Sequence, residues 1–171
     1  MNRPRILVAG IGNIFLGDDA FGVEVAQRLA QRLLPSEVRV VDFGIRGLDL
    51  TYALLEGYET VIFVDATPRG GQTGSLYLLE LDRDGGGEAT ETGAEINPHG
   101  MDPVKVLRLA ASMGARVDRL FLVGCEPAPL DEANDMHMGL SDPVEAAVEE
   151  AIGLIKTLLG QLLRSERIGV P

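Results

Sequence analysis

The sequence predicts a three-layer α/β/α fold, of the α/β class, whose middle layer is a twisted, mostly parallel, five-stranded sheet. Short apolar runs of strand length alternate with segments whose apolar residues recur at helical spacing. Strands and helices in this order build a parallel sheet with helices on both of its faces. The 171 residues contain no internal repeat and are enough for one hydrophobic core, so we expect a single domain over 1–171.

The strand prediction depends on apolar runs at Ile6 to Ala9, Val38 to Asp42, Thr60 to Asp65, Ser75 to Leu81 and Leu120 to Cys125. The third run is β-branched and apolar, which is typical of a central strand. The fourth run follows a short glycine turn rather than a helix. We therefore expect it to pair antiparallel at an edge of the sheet.

The helix prediction covers about Asp19 to Leu34, a short helix near Leu48 to Glu56, a helix capped by Asp102 with Pro103 in its first position, and a last helix from Asp142 to about Leu163. The sequence D-P-V-E at the start of the last helix is typical of a capping box. We expect the tail after Arg164 to fray. Two aperiodic segments, Asp82 to Glu95 and Glu126 to Leu140, are predicted loops.

Composition narrows the classes of partner and the compartment. A net charge of -11 argues against binding to nucleic acid, which needs a basic face. One cysteine excludes an internal disulfide and a multi-cysteine metal cage, which fits a reducing compartment. No apolar stretch has the length of a signal peptide core or a membrane span. We therefore expect a cytoplasmic protein with no membrane partner, and a monomer, because no extended apolar surface is evident.

The first strand, a glycine loop, an acid pair and the first helix follow one another between Arg5 and Val25. The pair is Asp18 and Asp19. A helix N-terminus favours carboxylates, but capping needs only one of them. Ligands of open α/β sheets bind at the carboxyl ends of the strands, so the second carboxylate is available for a ligand there.

Asp65 and His99 are the residues that we expect to join the acid pair. Asp65 ends the central strand, at the same edge as the acid pair, although it could instead cap a turn. His99 lies in the turn sequence N-P-H-G, and a lone loop histidine is more often exposed to solvent. One histidine with two carboxylates is a workable set of ligands for a divalent metal that leaves coordination positions open.

Other candidates stay undecided. Asp42 ends the second strand and could orient its loop or bind a ligand, Cys125 is expected to be a buried and inert thiol, and His137 has little support as a metal ligand. Gly10-x-Gly12 with Asp42 also suggests a dinucleotide-binding fold. However, Phe15 occupies the position of the third glycine, and two carboxylates at that helix end would repel a pyrophosphate.

With these residues assembled, the chain resembles the [NiFe]-hydrogenase maturation endopeptidases over nearly its whole length. The resemblance depends on G-I-G-N-I-F-L-G-D-D-A-F-G-V from Gly10, D-F-G-I-R-G-L-D-L from Asp42, V-I-F-V-D-A from Val61, N-P-H ending at His99, and G-L-S-D-P-V-E from Gly139. The first motif followed by the two later ligands in this order is specific, whereas each motif alone is weak.

The resemblance implies a nickel-recognition site whose three ligands fall on Asp19, Asp65 and His99. Some members carry Glu where this chain has Asp19. The implied substrate is the nickel-loaded precursor of the hydrogenase large subunit, which would supply the nickel and lose a C-terminal peptide. Asp18 is then a candidate catalytic base or a loop anchor, and Asp19 and Asp65 are candidate catalytic carboxylates. Two alternative functions stay open. The chain could be a chaperone that checks the precursor for nickel and cuts nothing, or it could be a nucleotide-binding protein.

Overall fold

The computed structural model describes residues 3–83, 101–129 and 138–168. In this part of the chain the strands are β1 (Ile6–Ile11), β2 (Val38–Gly44), β3 (Thr60–Ala66), β4 (Leu76–Leu81) and β5 (Arg119–Cys125). The α-helices are α1 (Phe21–Leu29), α2 (Gly47–Leu55), α3 (Pro103–Ser112) and α4 (Asp142–Ile168). A short 3-10 turn, Gly17–Ala20, lies between β1 and α1.

The strands form one sheet in the order β2-β1-β3-β5-β4. β1 pairs parallel with β2 and β3, and β3 pairs parallel with β5. β4 pairs antiparallel with β5 at the edge, as its glycine turn predicts. The predicted α/β class, with a mostly parallel sheet of five strands, is confirmed.

Alternate residues of the central strands face opposite cores, because successive side chains of a strand point to opposite faces. Ile6 and Val8 of β1 pack in the core under α1 and α4, while Leu7 and Ala9 pack in the core under α2 and α3. All four side chains are fully buried. The sheet therefore has a helical layer on each face, as the sequence predicts.

Two glycines allow α1 to lie unusually close to the sheet. A Cβ on Gly22 would lie 2.0 Å from the carbonyl oxygen of Val64 in β3, and a Cβ on Gly10 would lie 2.4 Å from the carbonyl oxygen of Gly22. Real Cβ atoms do not approach backbone oxygens so closely. This close packing sets the turn before α1 directly over the end of β3.

Several predicted boundaries are wrong. The first helix ends at Leu29 rather than Leu34, because Leu33, counted as an apolar helix position, is 98% exposed and packs on nothing. The last helix extends to Ile168, into the tail after Arg164 that we expected to fray.

The start of α4 also differs from its predicted capping box. The carbonyl oxygen of Ser141 accepts the first helical hydrogen bond, from the N–H of Glu145 at 2.8 Å, so Ser141 occupies the capping position predicted for Asp142. The Glu145 carboxylate instead accepts from Arg28, at 2.6 Å. The cap of α3 is confirmed, since Asp102 accepts from the N–H of Val104 at 3.0 Å.

Residues 84–100 and 130–137 lie outside the described residues, and they include much of the predicted loops Asp82 to Glu95 and Glu126 to Leu140. None of the described helices is both long enough and apolar enough to cross a membrane.

Candidate active site

Asp19 is fixed in the 3-10 turn by the glycine loop that precedes it. Its Oδ2 accepts a hydrogen bond from the N–H of Asn13 at 2.8 Å. Gly12, with a φ of 148°, lies against the same turn: a Cβ there would lie 1.8 Å from the carbonyl oxygen of Asp19. Only glycine fits that approach. Neither acid of the pair caps a helix by its side chain, so the capping interpretation of the pair does not hold.

Asp65, near the end of β3, is the partner that the structure brings to Asp19. Burial raises the pKa of Asp65 well above its usual value, and the negative charge of Asp19 raises it further, against a smaller opposing effect of the Ala66 N–H. The pKa of Asp19 is also raised, by burial, although the Asn13 N–H opposes the shift. Two carboxylates that disfavour each other's ionised form are therefore held at the carboxyl edge of the sheet.

The Asp18 carboxylate has hydrogen-bond partners outside this pair. Its Oδ1 accepts from the N–H of Ser141 at 2.7 Å, and its Oδ2 accepts from the N–H of Ala128 at 2.8 Å and from the Ser141 hydroxyl at 2.9 Å. Adjacent acids of one turn thus have different surroundings. Asp18 is tied to the connection between β5 and α4, whereas Asp19 faces Asp65.

The predicted histidine ligand, His99, lies outside the described residues, and so does His137. Within residues 3–83, 101–129 and 138–168, no three His, Cys, Asp or Glu side chains are grouped so as to hold a metal ion. The donor set that the structure does describe is the carboxylate pair of Asp19 and Asp65. Two partly buried carboxylates suit a divalent cation, which would neutralise their mutual repulsion, and they leave room for a third ligand.

Asp42 is hydrogen-bonded to neighbouring residues, and Cys125 is buried. The Asp42 carboxylate accepts from the side-chain amide of Gln27 at 2.9 Å, and its carbonyl accepts from the guanidinium of Arg46. Cys125 is fully buried. Burial first, and then the charges of nearby acids, raise the pKa of its thiol to about 11. A thiol with that pKa is protonated at neutral pH and is a poor nucleophile, as expected for a buried cysteine.

Glu126 is a buried acid that the sequence analysis placed in a loop without a role. It is 5% exposed, and it accepts from the N–H groups of Arg69 at 2.8 Å and Gly70 at 3.1 Å and from the Tyr77 hydroxyl at 2.7 Å. Burial alone would raise the pKa of Glu126, but these hydrogen bonds and one from Gly71 hold it below its usual value. Glu126 therefore fixes the turn between β3 and β4, just after Asp65. Its position one residue beyond a predicted strand end is the signal that could have identified it.

Known proteins of similar sequence share one family. The family model for HycI, hydrogenase maturation protease, matches residues 23–158. The chain is 34% identical to the Hydrogenase 2 maturation protease of Escherichia coli (strain K12) over 149 residues, which cover 86% of each chain. It is 32% identical over 150 residues to the hydrogenase expression/formation protein HupD of Rhodobacter capsulatus, covering 86% of this chain and 70% of HupD.

Solved structures show the same similarity. The hydrogenase maturating endopeptidase HybD from E. coli superposes with a TM-score of 0.76 at 32% identity, over 92% of this chain and 93% of HybD. The hydrogenase 2 maturation peptidase from Thaumarchaeota archaeon SCGC_AB-539-E09 superposes with a TM-score of 0.68 at 34% identity, over 91% and 98%.

Proposed function

This chain belongs to the hydrogenase maturation protease family, and we propose that it removes a C-terminal peptide from the nickel-loaded large-subunit precursor of a [NiFe]-hydrogenase. The observation that carries the proposal is the pairing of Asp19 with Asp65 at the carboxyl edge of the sheet. A partly buried carboxylate beside a second one is unfavourable unless a cation or a proton neutralises it. The pair therefore suits recognition of a metal that is already bound to the substrate.

In this proposal Asp19, Asp65 and His99 bind the nickel that the precursor presents. The Asn13 N–H orients the Asp19 carboxylate, and Gly12, which has no Cβ, lets the turn that carries Asp19 lie close to the end of β1. Asp65 approaches from the rigid end of a central strand. Three protein ligands leave coordination positions for the substrate's own donors. The protease would then test whether nickel has been inserted before it cuts.

Either of two chemistries can drive the cleavage at this site. A bound divalent cation supplies Lewis-acid polarisation of the scissile carbonyl. Alternatively, a carboxylate takes a proton from the attacking water, and the raised pKa of Asp65 suits it for exchanging a proton nearer to neutral pH than an ordinary aspartate. Nucleophilic attack by Cys125 is disfavoured, because its pKa of about 11 keeps the thiol protonated.

Exposed apolar side chains follow the carboxyl ends of β1 and β2, at the same end of the sheet as the acid pair. Ile14 and Phe15 are 48% and 56% exposed, and Ile45 and Leu48 are 53% and 61% exposed. The two loops adjoin, because the Gly12 N–H donates to the Gly44 carbonyl at 3.1 Å. Large apolar groups left in water next to a reaction site favour contact with a protein partner. We assign them to contact with the precursor.

The proposal is tested by incubating the purified protein with nickel-loaded and nickel-free precursor and measuring both masses. We expect the wild type to shorten only the nickel-loaded form, while Asp19→Asn, Asp65→Asn and His99→Ala leave it intact. Asp118→Asn is the matched control, because Asp118 is exposed and lies just before β5, at the amino ends of the parallel strands and away from the acid pair. Full cleavage by Asp65→Asn and His99→Ala would refute the site assignment.

The same digestion separates the chaperone alternative, and thermal unfolding separates the nucleotide-binding one. A chaperone that only checks for nickel would bind the loaded precursor without changing its mass. A nucleotide-binding protein would be stabilised against thermal unfolding by NAD or a mononucleotide, since a ligand of the native state raises its apparent stability. Stabilisation by nickel or cadmium and none by nucleotide would eliminate the latter.

A further inference from the structure

Asp18 links three parts of the fold across the end of β3. The 3-10 turn follows β1 and packs on β3, and the Asp18 carboxylate bonds Ala128, just beyond β5, and Ser141, just before α4. Because β3 lies between β1 and β5 in the sheet, this connection passes over the strand end that carries Asp65. The acid pair is thus spanned by a side chain outside it.

We infer that Asp18 is a positioning residue, whose hydrogen bonds to Ala128 and Ser141 hold Asp19 beside Asp65. The role rests on the function proposed above, since positioning matters only if the pair binds the metal or the substrate. It differs from the role of a catalytic base, which sequence reasoning left open for the same residue.

The hydrogen bonds of Asp18 support positioning over proton transfer. Both oxygens of its carboxylate accept from the polypeptide, with three donors at 2.7 to 2.9 Å. A carboxylate offers about four acceptor positions, so three are occupied. A general base needs an oxygen directed at the water that it deprotonates. The Asp18 oxygens are directed at two backbone N–H groups and a hydroxyl.

The effect on Asp19 follows from the shortness of the turn. Asp18 and Asp19 are neighbours in a turn of four residues that has no side-chain hydrogen bond at its N-terminal cap. One side of the turn is held by the Asn13 N–H, which donates to Asp19, and the other side is held by Asp18. Because the two residues are consecutive in so short a turn, releasing Asp18 would free the turn on that side and let Asp19 move away from Asp65.

A purely structural role is the competing interpretation. Asp18 accepts from the N–H of Ser141, the residue before α4, and a carboxylate there is favoured by the helix dipole. In that case Asp18 would stabilise α4 without affecting Asp19. The two interpretations differ in what happens at Asn13, whose N–H donates to the Asp19 carboxylate and reports its position directly.

Ser141→Ala separates the interpretations, because it removes one donor and keeps the Asp18 carboxylate. Ser141→Thr restores the hydroxyl, and Asp18→Asn removes the charge. Ser112→Ala and Asp118→Asn are matched controls away from the site, since the exposed Ser112 donates only to the Leu109 carbonyl in α3. The amide of Asn13 is followed by NMR chemical shift and hydrogen exchange, and cleavage of the nickel-loaded precursor is measured in parallel.

We expect Ser141→Ala to shift the Asn13 amide resonance, to speed its hydrogen exchange, and to slow cleavage roughly tenfold, with Ser141→Thr restoring all three readouts. Asp18→Asn should slow cleavage about 100-fold, the effect of a displacement of about 1 Å at a reacting group. An unmoved Asn13 amide in Ser141→Ala would overturn the inference, whether or not stability falls. So would an inactive Asp18→Asn beside a fully active Ser141→Ala, the result expected of a base. If the wild type cleaves nothing, the Asn13 amide still decides whether Asp18 positions Asp19.

Discussion

Asp19 lies close enough to Asp65 for its negative charge to raise the pKa of Asp65, in addition to the larger effect of burial. Both acids face the edge where parallel strands end, so the chain keeps an unfavourable charge pair at the place where α/β folds bind ligands. Such a pair lowers stability unless something binds it. Activity at the expense of stability is a common feature of enzyme sites.

The raised pKa of Asp65 predicts how stability depends on pH. The folded state binds a proton at Asp65 that the unfolded state has lost, so Asp65 costs stability as pH rises from the ordinary carboxyl pKa through the raised one. Asp65→Asn removes this dependence. We expect the stability of the variant relative to the wild type to increase with rising pH, by about 1.4 kcal/mol in the free energy of unfolding per unit of pKa shift.

Urea unfolding of both proteins from pH 4 to 8, without metal, measures that difference. Asp118→Asn, at an exposed residue, should show no comparable trend. If the free energies of unfolding of Asp65→Asn and the wild type differed by the same amount at all pH values, the pKa of Asp65 would not be raised by folding.

Close packing of α1 on β3 predicts a large effect of one methyl group. Gly22→Ala places a Cβ 2.0 Å from the Val64 oxygen and 2.3 Å from the Ile11 oxygen, so α1 must shift. We expect a loss of about 3 kcal/mol in the free energy of unfolding, together with reduced cleavage, because the acid turn moves with the helix.

Gly153→Ala is the control for this substitution. Gly153 is exposed within α4, and a Cβ there meets nothing within 4 Å. Alanine in a helix interior should raise stability by about 1 kcal/mol. Equal effects of the two substitutions on denaturant midpoints would contradict the packing that we describe.

The order and type of the strands and helices, although not all of their boundaries, could be predicted from the sequence. The approach of Asp19 to Asp65 could be predicted as well, because both predictions follow from local rules. Apolar periodicity locates the strands, and the rule that ligands bind at the carboxyl ends of strands brings the two acids to one edge. The antiparallel β4 followed from its glycine turn. Each of these signals lies within a few residues.

The roles of Asp18 and Glu126 could not be predicted in the same way. Asp18 accepts a hydrogen bond from Ser141, 123 residues away in the sequence, and Glu126 accepts one from Arg69, 57 residues away. Such contacts depend on how finished elements pack and leave no periodic pattern in the sequence. The end of α1 was misplaced for a related reason, since the exposed Leu33 fits the helical period without packing on the core.

Glu126 should be essential for stability near neutral pH. Glu126→Gln removes the charge that accepts from Arg69, Gly70 and Tyr77, and we expect a loss of about 2 to 4 kcal/mol. Because the pKa of Glu126 is lowered in the folded state, its contribution is present above the ordinary value of 4.5 and is lost as pH falls below it.

Unfolding curves at pH 7 and pH 3 check this expectation. The gap between wild type and Glu126→Gln should narrow at the lower pH. Tyr77→Phe, which removes a single donor, should cost about 1 kcal/mol. A gap that stays the same at pH 3 would exclude the ionised carboxylate as the stabilising group.

Cys125 should be unreactive in the native protein. It is fully buried with a thiol pKa of about 11, so iodoacetamide at pH 8 should leave the intact mass unchanged until denaturant is added. Cleavage of the precursor should survive the treatment. Rapid alkylation with loss of cleavage would instead indicate a cysteine nucleophile.

We expect Asp19 and Asp65 to bind one divalent cation, with His99 as the third ligand. Anomalous diffraction from crystals of the protein soaked in millimolar cadmium locates such a cation. The anomalous peak should lie within bonding distance of a carboxylate oxygen of Asp19, one of Asp65 and a ring nitrogen of His99. A cation bound elsewhere, with both carboxylates free of metal, would contradict it.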